Sequence, residues 1–294
     1  MTQDPPENRS DADTGPPTSR GLLGGMRGFT LVWLGQFTSI LGTSMTNFAL
    51  TILAWEQTGA ATALALIGFS FTAPYILASP LAGALVDRWN RKLVMMLSDL
   101  AAGASTVAAL LLLAAGRLEI WHLYVTTAFA GAFQAFHFPA FSAAITMMLP
   151  KEQYARAHGM NSLSQSASGI FAPVAAGMLL PVVGIRGVMT FDVLSFMAAI
   201  GTLMLIRVPQ PPAMTDAEKE RRSLLQDSLL GFRYILARPS LLGLQLIFLV
   251  ANFTASIGFS LLAPMILSRT GNDSLVLGSV QSAFGSEASP EACS

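Results

Sequence analysis

Gly83-Ala-Leu-Val-Asp87-Arg88-Trp-Asn90-Arg91-Lys92 is a short charged segment between two long apolar runs. It holds one carboxylate and three cations, whereas only 12% of the whole chain is charged, against about 25% in soluble domains. Charges this dense between two segments of membrane-spanning length must lie in water at a bilayer surface. The segment therefore predicts a connection between two transmembrane helices.

The composition of the chain is typical of a membrane protein. Of 294 residues, 52% are apolar, and the 17 basic and 17 acidic side chains give no net charge. A soluble domain of this length needs a charged surface that this composition does not supply. The balanced charge gives no indication of nucleic-acid binding. The single cysteine, Cys293, cannot form an internal disulfide.

Seven stretches are long and apolar enough to span a bilayer. The first, from Phe29 to Trp55, has no charged residue over 27 positions, and a helix rising about 1.5 Å per residue then exceeds the roughly 30 Å hydrocarbon core. The other six stretches lie at 62–86, 93–115, 120–149, 159–184, 187–206 and 240–267. We therefore predict an all-α, polytopic membrane protein.

An eighth apolar run starts near Leu275 and stops at Gly285, which is too short to span a bilayer. We therefore expect five segments. They are a disordered cytoplasmic tail (1–28), a six-helix N-terminal half (29–206), a cytoplasmic linker with an amphipathic helix (207–239), a seventh helix with an incomplete eighth (240–285) and a polar tail (286–294). From the short eighth run and the polar tail we infer that the chain is truncated at its C-terminus.

The basic residues predict the orientation of the chain. With a cytoplasmic N-terminus, 14 of the 17 lysines and arginines fall on the cytoplasmic side, and only Arg117, Arg186 and Arg269 fall outside. This asymmetry follows the positive-inside rule and independently supports the number of spans. We expect a bacterial-type inner membrane protein.

The charged segment resembles the loop between the second and third helices of the major facilitator superfamily, with the pattern Gly-x-x-x-Asp-Arg-x-Gly-Arg-Lys. Asn90 stands where the pattern has its last glycine. Three further runs are similar to the drug-proton antiporter branch that includes enterobactin and macrolide exporters, and they lie at 149–153, 191–196 and 227–239. The resemblance implies twelve helices in two six-helix halves, so we expect a functional form to need the missing second half.

The resemblance also implies a gating role for the charged segment, carried by Gly83, Asp87, Arg88, Arg91 and Lys92. In the family the aspartate caps a helix of the second half, and the cations pair with acidic groups. The alternative is a solvated loop that only fixes topology.

In the fifth span, Gly169, Pro173 and Gly177 are similar to a glycine- and proline-rich antiporter element, with alanine at two of its glycine positions. Small residues at helical spacing allow two backbones to approach closely, and Pro173 permits a bend. A simple packing face remains the alternative.

Three ionisable side chains fall inside predicted spans: Asp99, His137 and Asp192. Such residues are costly in hydrocarbon and are candidates for proton or charge-pair sites. We expect Asp99 to pair with Arg88, Arg91 or Lys92, and Asp192 to pair with Arg186. For His137 we expect a hydrogen-bonded, neutral imidazole, with titration near neutrality as the alternative.

In the superfamily the first, fourth and seventh helices line a central cavity. On those helices we expect aromatic and uncharged polar residues to line it. These candidate residues are Trp33, Gln36, Asn47, Phe133, Gln134, Phe136, Gln245 and Asn252. A cavity of this composition suits an amphiphilic organic molecule, although the phenylalanines could equally face lipid.

The sequence contains no phosphate-binding loop, no His/Cys metal cluster and no nucleophile constellation. It predicts a transporter rather than an enzyme, without cofactor or metal. We expect proton-coupled efflux of a small drug- or siderophore-like compound across the lipid bilayer. The alternatives are a nutrient uptake permease and a transport-inactive fragment that associates with another half.

Overall fold

The computed structural model describes residues 25–86, 88–206, 208 and 233–287. These residues are almost entirely α-helical, as predicted. The helices are α1 (Gly25–Thr58), α2 (Ala61–Val86), α3 (Arg91–Ala114), α4 (Ile120–Met148), α5 (Tyr154–Leu205), α6 (Pro239–Thr270) and α7 (Ser274–Glu287), with a 3-10 turn at Lys151–Gln153 before α5.

Helix α5 is two spans joined at a break. Its 52 residues correspond to about 78 Å of helix, more than twice the hydrocarbon thickness of a bilayer. Gly184 interrupts it with a φ of 67° and a ψ of 177°, a conformation available essentially to glycine alone. The residues before Gly184 (α5a) and after it (α5b) correspond to the predicted fifth and sixth spans.

Six helices in the described part of the chain are long and apolar enough to cross a membrane. Because α5 is broken at Gly184, these helices supply the seven predicted spans, with ends within a few residues of the prediction. Helix α7 has 14 residues, or about 21 Å, which is shorter than a bilayer core. The all-α polytopic fold is confirmed.

The first five helices pack into one bundle. Helix α1 lies along α5, α3 contacts α4 and α5, and α2 contacts α4. One hydrophobic cluster, which includes Phe29, Met95, Ile145 and Leu203, joins α1, α3, α4 and α5b. Many large apolar side chains outside this core are exposed, as expected where lipid is the solvent.

Helix α6 is mostly exposed, and only its C-terminal part is buried. It begins at Pro239, whose ring suits the first helical turn, and it ends at Gly271 in the left-handed conformation. Ala263, Ile266 and Leu267 near that end are buried, where α6 contacts α2 and α7.

The predicted N-terminal tail and linker lie mainly outside the described residues, as does most of the polar tail. Within the described end of the linker, residues 233–236 are helical. There the guanidinium carbon of Arg238 lies 3.8 Å from the centre of the Tyr234 ring, a cation–π contact.

Candidate functional site

Helices α1, α3 and α4 bring three polar side chains together inside the bundle. The Gln36 amide Nε2 donates to Asp99 Oδ2 at 2.8 Å. His137 Nε2 lies 3.1 Å from Gln36 Oε1 and 3.3 Å from Asp99 Oδ1. Gln36 and Asp99 are only 4% and 5% exposed. We refer to Gln36, Asp99 and His137 as the α1–α3–α4 cluster.

The contacts of the α1–α3–α4 cluster fix one proton on the histidine. His137 Nε2 faces a carbonyl oxygen and a carboxylate oxygen, which both accept hydrogen bonds, so Nε2 is the donor. A second proton on Nδ1 makes the ring an imidazolium and turns its contact with Asp99 into an ion pair.

The predicted partners of Asp99 were wrong. Its side chain contacts Gln36 and His137, whereas Lys92 Nζ donates to the carbonyls of Met204 and Ile206 at 3.1 and 2.8 Å. Asp99 is eight residues beyond Arg91 on α3, about 12 Å along the axis. The cations at the start of α3 therefore lie at a different depth from Asp99, and facing helices supply its partners.

Asp192 on α5b forms a second buried polar site. Its side chain is 0% exposed, and it accepts hydrogen bonds from the hydroxyls of Thr43 at 3.2 Å and Thr106 at 3.1 Å. The predicted pairing with Arg186 is wrong, because that guanidinium donates to the Leu113 carbonyl at 3.2 Å. Six residues apart on a helix, the two side chains point in different directions.

The two polar sites are stacked along the same pair of helices. Gln36 and Thr43 are seven residues apart on α1, and Asp99 and Thr106 are seven apart on α3. Residues i and i+7 share a helix face and are separated by about 10 Å along the axis. The carboxylates of the two sites therefore lie about 10 Å apart along the axes of α1 and α3.

Glycine at position 42 allows α1 to approach α5b beside Asp192. A Cβ atom at Gly42 would lie 2.5 Å from Ser195 Oγ and 3.0 Å from Asp192 Oδ1. These distances are shorter than ordinary van der Waals contacts. The absence of a side chain at Gly42 is what allows Thr43 to reach the carboxylate.

The predicted cavity-lining residues differ in their burial and contacts. Gln36 is buried in the α1–α3–α4 cluster, and Trp33 donates from Nε1 to the Met160 carbonyl at 2.8 Å. Phe133, Gln134 and Phe136 on α4 are half-buried, whereas Asn47, Gln245 and Asn252 are exposed. Asn47 lines a small cavity beside Asp192.

The charged segment starts α3 with a side-chain cap. The Asn90 side chain accepts a hydrogen bond from the Leu93 amide at 3.3 Å, so the residue that departs from the family pattern serves as the N-cap. Arg91 donates to the Ala143 carbonyl at 3.4 Å, which ties the segment to α4. Gly83 is exposed and has no atom within 4 Å of a Cβ position. Asp87, the predicted gating carboxylate, lies outside the described residues.

The small residues of the fifth span face α7. Ser274 Oγ donates to the Gly177 carbonyl at 3.2 Å, and a Cβ atom at Gly177 would lie 2.7 Å from the Ser274 carbonyl oxygen. One turn away, a Cβ at Gly278 would lie 2.5 Å from the Pro173 carbonyl oxygen. The chains run antiparallel here, and the two backbones touch because neither helix has side chains between them.

Residues 32–286 match the sequence profile of the Major Facilitator Superfamily. The chain belongs to this superfamily. Its helices, long and apolar enough to cross a membrane, make it a multi-pass membrane protein.

Two named relatives of this major facilitator chain are exporters. Macrolide efflux protein A of Streptococcus pyogenes is 29% identical over 182 residues, which are 62% of this chain and 45% of the relative. Enterobactin exporter EntS of Shigella boydii serotype 4 (strain Sb227) is 24% identical over 223 residues, covering 74% and 51%. The chain spans about half the length of these relatives. They represent the branch that the sequence predicted.

A solved structure shows the same fold. The bacterial homolog of the human lysosomal transporter Spinster, in an inward-facing and unoccupied conformation, matches with a TM-score of 0.63 at 18% identity. The match covers 90% of this chain and 60% of that chain. The major facilitator fold therefore accounts for nearly all of the described helices.

The partners of the two buried carboxylates were missed in the sequence. Thr43 and Thr106 were not singled out, and Gln36 was assigned to an open cavity. A signal was present in the spacing, because α1 and α3 each carry several polar residues inside an apolar helix, among them pairs seven positions apart. Two parallel helices with matched i and i+7 polar positions place those positions opposite each other in pairs.

Proposed function

We propose that this major facilitator chain takes part in the export of a small amphiphilic organic compound, such as a macrolide-like drug or a siderophore. Export proceeds by alternating access and is coupled to protons. The names of the relatives, a macrolide efflux protein and an enterobactin exporter, support the direction and the substrate class. The half-buried aromatic residues of α4 support an apolar compound.

The observation that carries proton coupling is the contact of Asp99 with His137 inside the bundle. Uptake of one proton by the imidazole converts a site of net charge −1 into a neutral ion pair. Because an unbalanced charge is costly in hydrocarbon, the two states favour different arrangements of α1, α3 and α4. A proton arriving from one side of the membrane can then bias the opening of the bundle.

Gating by the charged segment is part of the same proposal. Lys92 binds the carbonyls at the end of α5b, and Arg91 binds α4, so the segment links three helices at one end of the bundle. We propose that Asp87 completes this gate. The end that carries the segment is assigned to the cytoplasm of a bacterial cell by the positive-inside rule.

The test of export uses everted membrane vesicles from cells that express the full chain. A radiolabelled macrolide should accumulate inside when the lumen is made acidic, and dissipation of the pH gradient should release it. Asp99→Asn should abolish gradient-driven accumulation but retain exchange of labelled for unlabelled macrolide. Lys151→Met, at an exposed position in the turn before α5, serves as the control and should transport normally. Accumulation only in right-side-out vesicles would indicate uptake, and no accumulation beyond empty vesicles would refute transport by this chain.

Orientation is tested by cysteine accessibility. The native Cys293 is replaced by serine, and single cysteines are introduced at positions 90 and 117. A membrane-impermeant maleimide added to intact cells should label position 117 only. Labelling of position 90 from outside would refute the cytoplasmic assignment.

A further inference from the structure

A cavity of about 290 Å³ lies at the end of the bundle opposite the charged segment. It is bounded by the C-terminal end of α1, the residues around the break in α5 and the turn between α6 and α7. Its apolar walls are formed by Ile52, Leu180, Pro181 and Ile185. Glu56 is the one ionisable residue among those that line it. The cavity is separate from the α1–α3–α4 cluster and from the second buried polar site.

Two polar contacts join the walls of this cavity. Trp55 Nε1 donates to Asn272 Oδ1 at 2.9 Å, which ties the α6–α7 turn to α1. Pro181 has no amide hydrogen, so the Gly177 carbonyl four residues earlier lacks its usual helical donor. Ser274 Oγ donates to that carbonyl at 3.2 Å and ties the start of α7 to α5a. The elements that bound the cavity are therefore joined directly to each other, as expected for a pre-formed binding site.

The helix ends around this cavity favour a positively charged occupant. Helix α1 ends at Thr58, α6 ends at Thr270 and α5a ends at the Gly184 break. The last carbonyls of a helix lack intrahelical donors and carry the negative end of its dipole. The positive end of α7 does not balance these three ends, because two of its first amides already donate to Asp273 Oδ1 at 2.8 and 3.2 Å.

Glu56 adds a full negative charge at the same place. It lies in the last turn of α1, where the helix dipole disfavours a carboxylate. Its side chain is exposed, and it forms no ion pair with any residue that the structure describes. The basic residues nearest in sequence to the other walls, Arg186 and Arg269, do not line the cavity, and Arg186 donates to the Leu113 carbonyl. A cation bound at Glu56 therefore offsets both the carboxylate and the three helix ends.

We propose that this cavity binds a small organic ammonium ion, with its nitrogen at the Glu56 carboxylate and its apolar body against Ile52, Leu180 and Ile185. An ammonium group donates hydrogen bonds to a carboxylate and to helix-terminal carbonyls. A metal ion fits less well, because Ca²⁺ takes roughly six to eight oxygen ligands and half of the lining residues have apolar side chains.

The size of the cavity fits a small amine. Its volume of about 290 Å³ lies at the lower end of the roughly 300–1,000 Å³ that ligand sites occupy. A bound amine contacts α1, α5 and the α6–α7 turn at once, so it should stabilise their packing against each other. The proposal does not depend on the direction or the substrate of transport.

The test measures the thermal unfolding midpoint of the purified full chain in a neutral maltoside detergent, followed by far-UV circular dichroism. The probe is cyclohexylmethylammonium chloride, and a ligand that binds only the folded chain raises the midpoint as its concentration increases. Cyclohexylmethanol keeps the apolar body without the charge, and methylammonium keeps the charge without the body. Each should need at least about a tenfold higher concentration for the same effect. An equal effect of either analogue would overturn the proposal.

Matched variants assign the effect of the amine to Glu56. Glu56→Gln removes the charge at nearly constant size and should weaken binding of the probe at least about tenfold, whereas Glu56→Asp keeps the charge and should still bind it. Glu119→Gln is the control at the same end of the bundle, because Glu119 does not line the cavity. Its bond from Trp121 Nε1 at 2.8 Å can be kept by a glutamine oxygen, so binding should be unchanged.

Three results would overturn the proposal. The first is an unfolding midpoint that the probe does not raise in the unchanged chain. The second is a Glu56→Gln variant that responds to the probe like the unchanged chain. The third is an equal loss of binding in Glu56→Gln and Glu119→Gln.

Discussion

Replacement of Gln36 by methionine should measure how much the α1–α3–α4 cluster stabilises the bundle. Gln36 makes two of the three contacts in the cluster, at 2.8 Å to Asp99 and 3.1 Å to His137. Interhelical hydrogen bonds in membranes average about 0.6 kcal/mol and reach about 1.7 kcal/mol. Two such bonds, one of them to a carboxylate, predict a loss of about 1–3 kcal/mol in the free energy of unfolding.

The measurement is equilibrium unfolding in mixed micelles with increasing dodecyl sulfate, followed by far-UV circular dichroism. Gln134→Met is the matched control, since Gln134 is a half-buried glutamine on α4 outside the cluster. Its replacement should have little effect. If both variants lose the same stability, the reasoning about Gln36 is refuted.

A double-mutant cycle with Asp99→Leu separates the contact from general effects of substitution. The apolar pair in the double variant leaves neither partner of the 2.8 Å bond unsatisfied, so it should lose less than the sum of the single variants. The expected difference is about 0.5–2 kcal/mol. Additive losses would mean that Gln36 and Asp99 do not stabilise each other.

Three further substitutions test other contacts by the same unfolding assay. Gly177→Leu should lower the free energy of unfolding by about 1–3 kcal/mol, because the new side chain overpacks against α7. Gly169→Ala should be tolerated, because nothing lies within 4 Å of its Cβ position. Similar losses of stability in the two variants would contradict the close contact between α5a and α7. Asn90→Ala should cost about 1 kcal/mol and Asn90→Gly only a few tenths, and equal losses would exclude capping. Lys92→Met should lower the free energy of unfolding by about 1 kcal/mol, because it removes the hydrogen bonds to the carbonyls at the end of α5b. Lys151→Met, at an exposed position, should have no measurable effect. Equal stabilities of the two variants would refute the stabilising role of the Lys92 contact.

The helices could be predicted because the bilayer imposes a length. A stretch such as 29–55 must be helical if it spans hydrocarbon, whatever it packs against, so its ends follow from charge and glycine alone. The break at Gly184 is an example, since a glycine between two apolar runs marked the boundary in the sequence. The family was predictable for a similar reason, because the charged segment at 83–92 has fixed spacing between two spans.

The pairing of buried charges could not be predicted in the same way. The expected partners of Asp99 and Asp192 were the nearest cations in sequence, but nearness in sequence is not nearness across a bundle. Gln36 is 63 residues from Asp99, and Thr43 is 149 residues from Asp192. These contacts depend on which helices pack against each other. A helix that is apolar on several faces has no single buried stripe, so its sequence does not predict its neighbours.

The missing side chain at Gly42 has a consequence for both buried carboxylates. Helix α1 carries Gln36 six residues before this position and Thr43 directly after it. A rigid helix moves as one body. A single methyl group at position 42 would push α1 outward from Ser195 and Asp192, since it would lie 2.5 and 3.0 Å from their oxygens. That displacement would stretch the hydrogen bond to each aspartate at once. The hydrogen atom that Gly42 has in place of a side chain thus sets the distance between α1 and α5b, and the hydrogen bonds of both Asp99 and Asp192 depend on that distance.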